Sequence, residues 1–307
     1  MILVTGAKGF LGNRLVKILR ESGNRVAALD VGPTFDLQQG DWTADLADPG
    51  HLNALTSEAP SPDTVIHLAG HIEIAFRSNP LSPSMPPYPG EENIGLLYRG
   101  NFMTTVGILD FCLKKKVRKI IFSSSQAVYG MPDKNPVNEN SPCRPLEHYG
   151  ASKLCAERAL CTQASPDLKV LALRFPGLYS EERETGAVYR FCRSALKEGR
   201  IAIDIGFPLP FDILHIDDAL GAIQKAVLYD PQEWECLNIA TGEPCSLSIL
   251  ADHVARLVPG CRVKHPDVGQ PAICLDPSRA RECLSWTAVP RETRLRAMLD
   301  FLKSKDI

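Results

Sequence analysis

The sequence of 307 residues has no charge of one sign to spare: 34 basic residues stand against 36 acidic ones, for a net charge of −2. A chain so balanced carries no electrostatic footprint for nucleic acid or for an anionic membrane surface, and neither is expected as a partner. It also lacks any apolar run approaching the length of a membrane span. Its ten cysteines (112, 143, 155, 161, 192, 236, 245, 261, 274 and 283) lie scattered, mostly beside apolar neighbours, and none forms a C-x-x-C pair. Zinc and thioredoxin-like readings therefore have no support, and no metal site is expected. There is no internal repeat, and the one biased tract is residues 78–92, where five prolines exclude regular helix or strand. The first strand-like run, Ile2-Leu3-Val4, starts at the second residue, and no targeting segment is expected. The expectation is a reduced, soluble, cytoplasmic protein.

What is present is an alternation. Short β-branched runs (Ile2–Thr5, Arg25–Leu29, Thr64–Leu68, Lys119–Ser123 and Lys169–Phe175) are separated by helical stripes such as Leu11, Leu15, Ile18, Leu19 and Val106, Ile108, Leu109, Leu113. Strands apolar throughout and alternating with helices predict an α/β fold, a Rossmann-like doubly wound parallel sheet with both faces covered. From about residue 177 the rhythm loosens: helix-like Ala187–Lys197, Ala219–Leu228, Leu247–Leu257 and Arg291–Lys303 mix with strand-like Ile201–Ile205, Cys236–Ala240 and Ala272–Leu275. The expected division is a cofactor-binding domain over residues 1–176, rejoined by later segments, and a smaller substrate-binding lobe over 177–307.

Thr5-Gly6-Ala7-Lys8-Gly9-Phe10-Leu11-Gly12 follows the first strand and opens the first helix. In such a turn Gly6 permits the tight bend, Gly9 lets the backbone approach a pyrophosphate and Gly12 lets helix and strand pack closely, while the helix N-terminus faces the anion. Asp30 ends the second strand at about the twenty-residue distance where a carboxylate accepts both ribose hydroxyls. That carboxylate would repel a 2′-phosphate, so NAD is expected, although Lys8 in the loop points the other way.

Further blocks follow in order: Asp45-Leu46; His67-Leu68-Ala69-Gly70; Asn101; the serine strand Ser123-Ser124-Ser125-Gln126-Ala127-Val128-Tyr129-Gly130; Tyr149-Gly150-Ala151-Ser152-Lys153; Leu173-Arg174-Phe175-Pro176-Gly177; His215-Ile216-Asp217-Asp218-Ala219; and Asp276-Pro277-Ser278-Arg279-Ala280 with Leu284-Ser285-Trp286. Taken together they resemble the extended short-chain dehydrogenase/reductase family, in its NAD-dependent epimerase/dehydratase branch, nearly end to end. The resemblance implies a cofactor site of Gly6, Gly9, Phe10, Leu11, Gly12, Asp30, Asp45, Leu46, Leu68, Ala69, Gly70, Asn101, Ser123, Tyr149, Lys153, Phe175 and Pro176. It implies Ser125, Tyr149 and Lys153 as catalytic residues, and a substrate region including His71, Ser125, Gln126, Tyr149 and Gly177.

Tyr149 and Lys153, four apart on one helix, share a face. An ammonium there would favour the phenolate and lower a pKa that is about 10 when unperturbed, so the tyrosine could take a proton from a substrate hydroxyl. His215 reads as a packed or hydrogen-bonded histidine, Asn101 as a possible helix cap, and the Met and aromatic residues of 98–103 as core and helix-face residues.

Two departures narrow the expectation. Members that dehydrate sugar nucleotides carry an acidic pair after the serine or threonine, whereas Gln126 and Ala127 follow Ser125 here, which disfavours dehydration. The usual diphosphate-binding arginines are also missing: Pro208-Leu209-Pro210-Phe211-Asp212 has no base, and Lys264-His265-Pro266-Asp267 offers only a lysine and a histidine. The leading expectation is an NAD-dependent nucleotide-sugar epimerase, a UDP-hexose 4-epimerase working through a transient keto intermediate. The alternatives are a dehydrogenase or reductase of a non-nucleotide sugar or alcohol, and a non-catalytic NAD(H)-binding protein. Helices around Asn101–Lys114 and His148–Cys161 resemble the pair that forms a homodimer interface in the family, with Leu154, Ala159, Leu160 and Cys161 supplying apolar surface.

Overall fold

The computed structural model describes residues 1–31, 40–71, 94–203, 212–266 and 271–305. The proline tract at 78–92, residues 208–211 and Asp267 lie outside them. Seven parallel strands form one sheet in the order β10-β6-β5-β4-β1-β2-β3, where β1 is Ile2–Thr5, β2 Val26–Asp30, β3 Trp42–Thr43, β4 Thr64–His67, β5 Lys119–Ser125, β6 Lys169–Phe175 and β10 Trp234–Asn238. Two further parallel pairs lie apart from it: β7 (Gly177–Tyr179) with β9 (Ile213–His215), and β8 (Arg200–Ala202) with β11 (Arg262–Lys264).

Side-chain alternation along the strands explains why both sheet faces are apolar. Val4, Ile66 and Ile121 enter one core layer with helix α1 (Gly12–Glu21) and helix α7 (Ile216–Leu228). Their neighbours Leu3, Val65, Ile120 and Phe122 enter the opposite layer with helix α4 (Thr104–Lys115) and helix α5 (His148–Gln163). A third cluster gathers helices α6 (Gly186–Glu198), α8 (Leu247–Leu257) and α10 (Arg291–Ser304) around Phe191, Leu250 and Leu295. Segments beyond residue 176 are divided between these cores, since β10 belongs to the main sheet and α7 packs against it.

Some elements differ from the sequence reading. Helix α2 (Pro49–Glu58) forms where no periodicity marks it. Its start is set by Asp48, which accepts the His51 N–H at 3.0 Å, and by Pro49 at the first helical position. Ala272–Leu275 is not a strand: Ile273 and Leu275 make only isolated bridges, to Cys245 and Val137. Asn101 is not a helix cap. It lies inside a π-helical turn, Arg99–Met103, that joins helix α3 (Ile94–Tyr98) to α4, and it is fully buried. Met103, read as a core or helix-face residue, is 45% exposed, and Leu113, read as part of an apolar helical stripe, is 47% exposed. Among the described residues all ten cysteines are unpaired, and no helix is long and apolar enough to cross a membrane.

Candidate active site

Parallel strands bring their carboxyl ends to one edge of the sheet, and chain order reverses between β1 and β4. Ligands of open α/β sheets bind at such a switch point. The expected residues arrive there from Thr5–Gly12, Asp30, 67–71 and Ser123–Ser125, with α5 crossing beside β5.

Gly6 has φ +68°, and a methyl on it would stand 2.6 Å from the Ala69 nitrogen. A methyl on Gly12 would stand 2.1 Å from the Gly6 carbonyl oxygen, so the loop and α1 close only without side chains there. No side chain caps the first turn of α1, where the Asn13 N–H is held by the Gly9 carbonyl at 3.0 Å and the helix end faces the loop with its positive pole. Asp30 lies over the same loop: its carboxylate accepts the Lys8 N–H at 2.6 Å and the Val31 N–H at 2.7 Å. This glycine cradle, with an uncapped helix start and a carboxylate at the end of β2, fits a dinucleotide. Gly12→Ala is expected to weaken NADH binding at least tenfold in a fluorescence titration, and to cost about 1–3 kcal/mol of stability by overpacking.

Several expected cofactor residues offer backbone rather than side chain. Leu11, Leu46 and Phe175 are core residues, and Pro176 is buried. Asp45 is tied at 2.5 Å to Arg99 and accepts the Ala47 N–H, while Phe10 is 37% exposed. Leu68 and Ala69 leave β4 held to Thr5, the first by its carbonyl at 3.2 Å and the second by its hydroxyl at 3.3 Å. Asn101 bonds both main-chain groups of His71 at 2.9 Å and donates to Ser152 Oγ at 3.0 Å, so it fixes the wall of the site without facing a ligand. His67 bridges Thr5 at 2.7 Å and Thr105 at 3.1 Å; burial holds it neutral, with its pKa lowered to about 3. Thr5, Thr105 and Ser152 thus belong to the framework. The sequence gives no signal for them, because a small hydroxyl at a strand or helix position has many uses.

Lys153 is buried, donates to the Ser123 carbonyl at 2.9 Å and lies 5.0 Å above the Phe122 ring. Its reach passes under Gly70, where a methyl would stand 3.2 Å from Nζ and 2.8 Å from Asn101 Oδ1. Burial lowers the Lys153 pKa to about 8, opposed by the charge of Glu157 one turn further along α5. Tyr149 is part-buried with Ser125 beside its hydroxyl, while Ser125 Oγ accepts the Ala127 N–H at 3.2 Å. Here the structure corrects the sequence expectation of a lowered tyrosine: burial pushes its pKa up to about 12, against the Ser125 hydrogen bond, while the Lys153 ammonium is spent on Ser123.

Beside Ser125, the carboxamide oxygen of Gln126 is buried with no hydrogen-bond partner among the described residues. Ser124 turns away and donates to Glu157 at 2.5 Å. His215 is a capping residue: its Nδ1 accepts the Asp217 N–H at 3.3 Å and its Nε2 meets Glu181 at 2.9 Å. Gly177 opens β7 and donates to the Asp212 carbonyl at 3.0 Å. In the two segments lacking arginine, Asp212 is fully buried 3.2 Å from Arg291, and His265 is paired with Asp252 at 3.0 Å.

The sequence pattern of the NAD dependent epimerase/dehydratase family matches residues 2–85 and 87–239. A putative UDP-glucose 4-epimerase of Methanocaldococcus jannaschii is 29% identical over 82% of this chain and 80% of its own length. The UDP-glucose 4-epimerase of Corynebacterium glutamicum is 27% identical over 97% of this chain and 93% of its own. The match to the Azospirillum brasilense UDP-glucose 4-epimerase spans only 57% of this chain and 48% of that enzyme. Among solved structures, MoeE5 in complex with UDP-glucose and NAD superposes with a TM-score of 0.76 at 27% identity, covering 100% of this chain and 99% of that one.

Proposed function

The chain belongs to the NAD dependent epimerase/dehydratase family, and from that premise we propose that it epimerises a sugar nucleotide, in the first place a UDP-hexose at C4. It is an NAD-dependent enzyme of the extended short-chain dehydrogenase/reductase type. The observation that carries the reading is the juxtaposition of Ser125 and Tyr149 at the carboxyl end of β5, with the Lys153 ammonium anchored on the same strand and no carboxyl acid following Ser125.

Bound NAD supplies reversible hydride acceptance at one carbon. Ser125 orients the reacting hydroxyl, and Tyr149 takes its proton and later returns it. Lys153, cationic below about pH 8, supplies positive charge at the floor of the site. Gln126 offers a carboxamide where dehydrating members place acid, so it can hydrogen-bond a sugar hydroxyl but cannot protonate a leaving one. The lobe around α6, α8 and α10 is assigned to the sugar nucleotide, and the rest of the chain to the cofactor.

The test is to add UDP-glucose and UDP-galactose separately to NAD-loaded protein, following absorbance at 340 nm and product identity by NMR. The epimer without accumulating NADH is the expected result. A net dehydrogenase of a non-nucleotide sugar or alcohol is the second reading. It is favoured by the commitment of Asp212 to Arg291 and of His265 to Asp252, which leaves the exposed Lys264 in place of the usual arginines as the base that the described parts of those segments offer a diphosphate. Silence in both channels, with NADH binding intact, would favour it.

A homodimer through the α4 and α5 faces completes the proposal. Leu160 points into the chain's own core, but Met103 in the turn before α4, Leu113 on α4 and Cys155 on α5 leave apolar surface outward. Light scattering at micromolar concentration is expected to give twice the chain mass, and a monomeric mass rejects the interface.

A further inference from the structure

We propose that Arg183 is a cofactor-clamping residue that holds the turn at 180–185 over the glycine loop and binds the diphosphate of the dinucleotide. This rests on NAD occupying the cradle and not on the identity of the sugar.

Arg183 lies between β7 and α6, far in sequence from the glycine loop, yet its guanidinium sits 5.0 Å above the ring of Phe10 in that loop. Two of its nitrogens are fixed from behind: Nη1 donates to the Leu178 carbonyl at 3.2 Å and Nε to Thr185 Oγ1 at 3.1 Å. Its Nη2 makes no hydrogen bond among the described residues. The guanidinium is therefore pre-oriented, and it presents a spare donor beside the uncapped start of α1. A second latch runs parallel to the first. Arg14, in the first turn of α1, pairs with Glu182 at 2.8 Å and with Asp217 at 3.3 Å. Residues 182 and 183 thus grip both sides of the segment where a pyrophosphate would lie.

The chemistry suits an anion that is both charged and flat-sided in its surroundings. Arginine stacks on an aromatic face while offering directional donors, which a lysine does not. Stacking on Phe10 holds the charge beside the glycine loop, which is the segment that would carry the cofactor's diphosphate. The diphosphate of a sugar nucleotide is the other source of the same chemistry, and it would lie with the substrate. A clamp over the first would slow release of the dinucleotide, an advantage for an enzyme that returns its hydride to the substrate in every cycle.

The experiment is the rate of NADH release, followed by fluorescence after displacement with excess NAD, in the wild type, Arg183→Ala and Arg183→Lys. No sugar is present, so the result is independent of the epimerase reading. Arg183→Ala is expected to release NADH about tenfold faster, equal to about 1.4 kcal/mol, with Arg183→Lys in between because it lacks the planar stack. Should Arg183→Ala fail to fold, Phe10→Leu must show the same acceleration. An unchanged release rate overturns the proposal. So does an unchanged rate accompanied by a raised KM for UDP-galactose, which would move Arg183 to the substrate's diphosphate.

Discussion

Tyr149→Phe is expected to lower kcat by about 10²–10⁴-fold, the range supplied by a positioned acid–base group, while NADH binding stays within a few-fold of the wild type. The residue is part-buried, with its hydroxyl end enclosed beside Ser125, so removing one oxygen leaves the packing of α5 intact. The magnitude follows from the environment. Burial pushes the tyrosine up to about 12, so at neutral pH the free enzyme holds it protonated. Work must be done on it by a substrate oxygen and by the Lys153 charge before it can accept a proton. Activity is therefore expected to rise with pH on its acidic limb, and Ser125→Ala should move that limb upward, because the Ser125 hydrogen bond is what opposes the burial. Single-turnover measurements of hydride transfer, with NADH titrated in parallel, separate lost chemistry from lost binding. Retained turnover in Tyr149→Phe would remove Tyr149 from the reaction.

The glycine loop was legible because each glycine has a physical duty that other residues cannot meet: a positive φ at Gly6 and a 2.1 Å contact at Gly12. The sheet was legible because strands buried on both faces are apolar at every position, as Ile2–Val4 and Ile120–Phe122 are. Spacing alone was less informative about Tyr149 and Lys153. Residues four apart on a helix share a face at their Cβ atoms, but the lysine's long stem carries its charge to the Ser123 carbonyl, and the expected lowering of the tyrosine does not follow. Asn101 shows a similar limit. Its type suggested a cap, but its partners are His71, thirty residues earlier, and Ser152, fifty-one residues later. Arg183 was invisible for the same reason, since its meaning comes from Phe10 across the fold. Short β3, β7, β9 and β11 were missed because two- or three-residue strands have no period to detect.

Glu157→Gln is expected to destabilise the protein by about 3–5 kcal/mol, the cost of leaving one member of a buried ion pair uncompensated. Glu157 on α5 and Arg174 on β6 are both buried and meet twice, Nε to Oε1 at 2.9 Å and Nη2 to Oε2 at 2.7 Å. Burial works against the arginine's charge, but the hydrogen bonds and charge of Glu157 more than offset it and hold Arg174 firmly protonated. The pair is the hub of a wider network. Ser124 donates to Glu157, Arg174 donates to the Tyr129 hydroxyl at 2.9 Å, and Tyr129 donates in turn to Asn238 on β10 at 2.7 Å. Removing the carboxylate charge strands the guanidinium and weakens the tie between β5, β6 and the edge strand. Urea unfolding followed by circular dichroism measures the loss. The double variant Glu157→Gln with Arg174→Met should cost less than the sum of the two single changes, because neither charge is then left alone. The chemistry is expected to follow the stability. Ser124 lies between Ser123, which anchors Lys153, and Ser125, which bonds Tyr149. Glu157 also raises the Lys153 pKa against burial. Glu157→Gln should therefore lower the Lys153 pKa further below about 8, so that the ammonium is lost at a lower pH and the alkaline limb of the kcat profile moves down. A strictly additive double variant would show that the two charges are not coupled, and an alkaline limb that stays in place would show that Glu157 does not support the lysine.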